Sequence, residues 1–179
     1  KAINWGAQVC IFHHGLGLSD HYIFNSKLLP STLKELKIIF ENELTIAGYH
    51  YCLDAHAQIG NNVIIINKLG AIETYESYFD GWGWVGEYEK QIDLSELAQR
   101  FAKLCHHDVF IVKSNKTQIK RIGVCSGGAI PYPKNIWQEI IAKNIDAHLT
   151  GVITESSPSL ASENEYNYLA AGHYATEVF

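Results

Sequence analysis

Three short motifs hold the residues whose types and spacing can do chemistry: His13-His14-Gly15, His50-Tyr51-Cys52-Leu53-Asp54 and Gly172-His173-Tyr174-Ala175-Thr176-Glu177. Each offers imidazole, carboxylate or both, the nitrogen and oxygen donors that bind divalent transition metals. Adjacent side chains on a regular strand point to opposite faces, so His13 and His14 can enter one site only where a strand ends and the backbone turns. The stretch AQVCIFHH reads as a buried strand that ends there, which suits two neighbouring ions. On an extended strand His50 and Asp54 would lie about 13 Å apart, too far for ligands that sit roughly 2.0–2.2 Å from one ion. Either the chain bends before Asp54, or only one of the two is a ligand. Asp54 at a loop end is the favoured ligand, with His50 either supporting a ligand from behind or facing substrate. His173 and Glu177 fall one turn apart if a helix begins near Tyr174, with Cβ atoms about 6 Å apart, and can chelate one site. A carboxylate can bridge two ions and imidazole cannot, so Glu177 is the natural bridge.

Other candidates are weaker. His106-His107 falls near an expected helix C-terminus, where the helix dipole favours such residues. His21, His56 and His148 read as structural or surface histidines. Ser126 in CSGGA lacks the spacing of a nucleophile elbow; Gly127-Gly128 reads as a tight strand-to-helix turn, whose amides can also face an anion. Imidazole and carboxylate without thiolate suit Zn, Mn, Fe or Ni and do not choose among them.

The elements that must position these motifs alternate. After the first strand, Ser31–Asn42 has helical spacing behind Pro30, a residue tolerated at a helix start. Thr45–Leu53 reads as a strand and Val63–Leu69 as a short helix closed by Gly70. TYESYFDGWGWVGEYE reads as an aromatic hairpin around Gly81 and Gly83. A capping box over Asp93–Glu96 opens a helix through Cys105. Val109–Val112, Ile119–Cys125 and His148–Ile153 read as strands, and Lys134–Asn144 as a helix. The class is therefore α/β, one unit over residues 1–179 in two lobes dividing at 113–118.

A chain of 179 residues, 47% hydrophobic and 18% charged, can bury a core without disulfide staples. Its net charge of −5 gives no electrostatic footprint for nucleic acid, and the basic run from Lys113 to Arg121 reads as a solvated loop. No apolar run approaches the roughly 20 residues of a membrane helix, and no signal peptide is visible. Cys10, Cys52, Cys105 and Cys125 share no zinc or redox spacing and sit in apolar stretches, so they read as buried thiols of a cytoplasmic protein. The chain contains no Met and carries motifs close to both ends, so N- and C-terminal segments are expected to be missing.

Along almost its whole length the sequence resembles the Nif-three-like dinuclear metal centre family, whose members often carry the name GTP cyclohydrolase type 2 homologue. IFHHGLGL, GYHYCLDAH with GNN, WGWVGE, VCSGGA, LTGVITE and AAGHYATE occur in the family's order. The resemblance implies a two-lobed α/β protomer with mixed sheets flanked by helices, assembled as a hexameric ring. It also implies two divalent ions per protomer on His13, His14, Asp54, His173 and Glu177. Three positions depart from the family's pattern: Val152 replaces a common Glu, the segment Ser157-Pro158-Ser159 replaces a His, and Tyr174 replaces a second His. None removes an expected ligand.

Two functional readings follow. The first is a metal-dependent hydrolase of a nucleotide or related small molecule, with His50 as the catalytic proton carrier and Trp82 and Trp84 available to stack a base, although aromatic residues more often fill a core or interface. The alternative is a metal-binding ring that is not an enzyme and serves as metal carrier, sensor or protein-interaction scaffold.

Overall fold

A computed structural model of the chain describes residues 1–16, 23–24, 27–131 and 134–179. The chain divides into two compact units, Lys1–His50 and Tyr51–Phe179. Residues 113–118, where a division was expected, fall inside the second unit and join two strands of its sheet. His21 and the loop around it lie outside the described residues.

The first unit runs through β1 (Val9–Phe12), an antiparallel pair β2 (Ile23–Phe24) and β3 (Lys27–Leu28), α1 (Pro30–Glu41) and β4 (Thr45–Gly48). Pro30 takes the start of α1, where its missing N–H removes no helical bond. β1 and β4 pair in parallel with Phe12 opposite Gly48, and α1 supplies the crossover that parallel strands need. The strand expected over Thr45–Leu53 stops at Gly48. There the chain meets Gly15 so closely that a Cβ on Gly48 would lie 2.9 Å from the Gly15 Cα. The Tyr49 amide still donates to the Phe12 carbonyl at 2.9 Å, and the chain then leaves the sheet.

The second unit contains α2 (Tyr51–Asp54), α3 (Asn61–Lys68), β5 (Ile72–Tyr78), β6 (Gly83–Asp93), α4 (Leu94–Cys105), β7 (Phe110–Val112), β8 (Gln118–Val124), α5 (Lys134–Ala142), β9 (Ala147–Thr150), α6 (Ser157–Glu163) and β10 (Asn167–Ala170). Six strands form one mixed sheet in the order β5-β6-β8-β9-β10-β7, with β8, β9 and β10 parallel. Alternating residues feed two cores. Leu149 and Leu169 join Ile65, Ile66, Leu97 and Phe101 from α3 and α4, while Tyr168 and Ala170 join Ile136, Ile140 and Ala161 from α5 and α6. β9 and β10 are thus buried at every position, which erases the two-residue hydrophobic rhythm of a half-exposed strand. In α4, Leu94, Leu97, Ala98, Phe101 and Cys105 are buried at helical spacing.

Several expected boundaries move. Asp93 does precede α4, but its side chain accepts from Gln118 Nε2 at 2.5 Å, and Glu96 pairs with Arg100, so no capping box forms. α5 stops at Ala142 because Asn144 takes a left-handed φ of 51°. Buried free thiols are found at Cys105 and Cys125, whereas Cys52 is exposed and Cys10 half-buried. Among the described residues no helix is long and apolar enough to cross a membrane.

His148 on β9 is fully buried. Its Nε2–H donates to the Ala129 carbonyl and its Nδ1 accepts from the Tyr78 hydroxyl, both at 2.8 Å. Burial lowers its pKa from 6.5 to about 4. The unfolded chain therefore binds a proton that the folded chain refuses, and stability falls as pH drops from about 6.5 to 4, by up to about 3 kcal/mol. Urea titrations across this window should show a steeper loss for wild type than for His148→Gln, which cannot titrate.

Candidate metal centre

In the first unit, the parallel pairing of β1 and β4 brings two carboxyl-terminal strand ends together, the edge where α/β sheets place ligand sites. His13 and His14 follow β1, and His50 follows β4 by two residues. One ring nitrogen from each of these three histidines lies within 4.8 Å of the others. The ring centroids of His13 and His14 are 5.0 Å apart, those of His13 and His50 5.0 Å, and those of His14 and His50 4.5 Å. The Gly15–Gly48 contact is what permits this approach, since a side chain on either would separate the two strand ends. His50 thus stands in the imidazole cluster itself.

In the second unit, β8, β9 and β10 also end at one edge, and backbone hydrogen bonds continue the sheet into their turns. Cys125 donates to Leu149, Gly151 to Gly127 and Ala171 to Thr150, each at 3.0 Å. A Cβ on Gly151 would lie 2.6 Å from the His173 Cα, so the chain carrying His173 lies directly on that turn. The expected final helix is a 3-10 turn, Tyr174–Thr176, flanked by His173 and Glu177. Buried Thr176 fixes it: Oγ1 accepts the Gly127 N–H at 2.9 Å and lies 2.9 Å from the His173 carbonyl, to which its hydroxyl can donate. His173 Nε2 and Glu177 Oε1 are 3.2 Å apart.

Asp54 ends α2 and is buried. Its Oδ1 accepts from Asn61 Nδ2 at 2.9 Å and from Ser126 Oγ at 3.0 Å. Ser126 therefore orients a carboxylate. Asn62, wholly buried, donates to the carbonyls of Asp54 and Trp82 at 3.0 and 2.8 Å and accepts the Ser126 N–H at 2.7 Å. Asn61, Asn62 and Thr176 were not anticipated as functional. The signal for the asparagines was a polar pair opening the apolar helix α3, which reads equally well as a helix start. Burial, reinforced by the charges of Asp54, Glu139 and Glu177, pushes the Cys125 thiol well up, so it stays protonated beside these carboxylates.

These residues fit a divalent metal. Two ligands of one ion with bonds of roughly 2.0–2.2 Å must themselves stand about 3 Å apart, as His173 and Glu177 do. Holding one oxygen of a carboxylate by hydrogen bonds, as around Asp54, is how ligating carboxylates are oriented.

A model of the Duf34/NIF3 family (NGG1p interacting factor 3) matches residues 1–179. A GTP cyclohydrolase 1 type 2 homolog of Neisseria meningitidis serogroup B is 28% identical over 182 residues, covering 98% of this chain and 68% of that protein. One from Buchnera aphidicola subsp. Schizaphis graminum is 30% identical over 178 residues, covering 99% and 68%. Among solved structures, protein ybgI, of unknown function, superposes with a TM-score of 0.80 at 25% identity, covering 98% of this chain and 68% of that one. Reduced HcgD from Methanocaldococcus jannaschii gives 0.79 at 26%, covering 99% and 68%.

Replacing Asn62 by Ala would remove its buried hydrogen bonds with the Ser126 amide and the Asp54 carbonyl and its part-buried bond to the Trp82 carbonyl. Each such loss costs about 1–3 kcal/mol. Chemical denaturation should therefore show Asn62→Ala destabilised by at least about 3 kcal/mol.

Proposed function

The chain belongs to the Duf34/NIF3 family, and from that premise we propose that it is a metal-dependent hydrolase of a nucleotide or related small molecule. Two divalent ions would be held by His13, His14, Asp54, His173 and Glu177. The observation that carries this reading is the donor chemistry: three convergent imidazoles in one unit, and in the other a His–Glu pair at ligand spacing beside a carboxylate oriented by two donors. When bound, such ions supply Lewis-acid activation of a water and of the attacked carbon or phosphorus centre. Glu177, a carboxylate with two donor oxygens, would be one of the residues that hold the metal. A ring nitrogen of His50 would take a proton from the attacking water and return it to the leaving group, the work imidazole side chains do in general acid–base catalysis. Asn61 and Ser126 keep the Asp54 carboxylate aimed, and Thr176 keeps His173 and Glu177 in register with the Gly127 turn.

The proposed assembly is a hexameric ring. It is supported by exposed apolar residues of the first unit, among them Ile11, Leu33 and Phe40, which a closed oligomer can cover.

The test is turnover on a panel of nucleotides with Zn, Mn, Fe or Ni supplied in turn. Hydrolysis should require one of these metals, stop on chelation, and fall in Asp54→Asn by more than the roughly 10–100-fold typical of losing an outer partner of a ligand. Tight metal binding without turnover on any nucleotide would contradict the hydrolase and favour the carrier or scaffold. Light scattering should give six times the protomer mass, and a monomer would exclude the ring.

A further inference from the structure

Around the sheet of the second unit, cations meet carboxylates: Lys116 pairs with Asp146, Lys120 with Glu87, Arg121 with Glu76 and Glu87, and Lys143 with Glu139. Lys68 and Lys103 are different. Both are exposed, and among the described residues neither forms an ion pair. They line one cleft of about 750 Å³ together with Arg100, His106, Leu104 and Phe179, and none of the described residues lining it is an aspartate or glutamate.

A basic residue in the last turn of a helix answers the helix dipole, and Lys68 does this for α3 and Lys103 for α4. The dipole does not require the two helix ends to meet. Here they do, because Arg100 on α4 donates from Nη1 to the Leu69 carbonyl at the end of α3, at 2.8 Å. Arg100 also pairs with Glu96, which leaves Lys68 and Lys103 as the uncompensated charges of the cleft. The Lys68 Nζ lies 5.5 Å from the centroid of the Phe179 ring, a cation–π contact that orders the ammonium without neutralising it. The chain as a whole carries a net charge of −5, so this concentration of positive charge is local and draws anions to one place. The cleft volume falls in the range of small-molecule sites, roughly 300–1,000 Å³.

We propose that this cleft binds the diphosphate or triphosphate group of a small molecule, held by Lys68 and Lys103 beside the anchored Arg100. Two ammonium groups, each a compact charge with three donors, suit a ligand that spreads several negative charges over neighbouring oxygens, as condensed phosphates do. The site is built from α3, α4 and Phe179 of the second unit alone. It stands whether or not the metal-centre reading holds.

Calorimetric titration of the full chain with inorganic pyrophosphate tests it, on protein as purified and after chelator treatment, with metal content measured on both. Saturable binding should survive removal of metal. Lys68→Gln and Lys103→Gln should each weaken it by about threefold to tenfold, the loss of one charged contact in a partly exposed site. Lys90→Gln, an exposed lysine outside the cleft with the same change in net charge, should leave it unchanged. Phosphatidylcholine vesicles containing phosphatidic acid should not sediment the protein. Binding that disappears with the metal and ignores both cleft variants would place the anion on metal and overturn the cleft. So would no saturable binding, an equal loss in Lys90→Gln, or vesicle binding that Lys68→Gln abolishes in protein that ignores pyrophosphate.

Discussion

The hydrogen bond from the Gly127 amide to Thr176 Oγ1 holds together the edge of the second unit where its parallel strands end. It joins the turn after β8 to the turn after β10, two segments 49 residues apart in sequence. Between them Gly151 leaves no room for a side chain, and its own amide binds Gly127. The consequence is that His173 and Glu177 are set by the sheet. Ser126, one residue before Gly127, passes the same constraint to Asp54 through its hydroxyl. A short 3-10 turn would be a poor scaffold alone; packed on three parallel strand ends it becomes a rigid one.

Both units use the same device. Parallel strands expose their carboxyl ends at one edge, and the chain must turn there. In the first unit two strands suffice, because the Gly15–Gly48 contact lets His13, His14 and His50 converge. In the second, three strands supply turns rich in glycine and small polar residues. The outer network of Asn61, Asn62, Ser126 and Thr176 is nearly all buried, so its hydrogen bonds form away from water, where an unmade bond is costly. That cost makes the geometry specific.

The α/β class, the aromatic hairpin, α3, α4 and the residue types of the donor set were legible in the sequence. Periodicity showed α4 because one face of it is buried and the other wet. β10 and α6 were not legible: NYLA is buried on both faces and carries no alternation, while SPSLASE begins like a loop. The strand read through Leu53 ends at Gly48 for a reason no local pattern contains, a backbone contact with a glycine 33 residues earlier. Likewise, Asn61 and Asn62 look like a polar helix start until burial shows that they serve Asp54 and its neighbours. Local spacing exposed donor types; long-range contacts determined their orientation.

The proposal on which the functional reading stands is that His13, His14, Asp54, His173 and Glu177 bind divalent metal. Elemental analysis of the purified chain, prepared without chelator, tests it most directly when wild type is compared with His14→Ala and Glu177→Ala. About two ions per protomer in wild type, with strong loss in each variant while the fold persists, is the result this account predicts. A folded wild type with almost no metal, or metal retained in both variants, would contradict it.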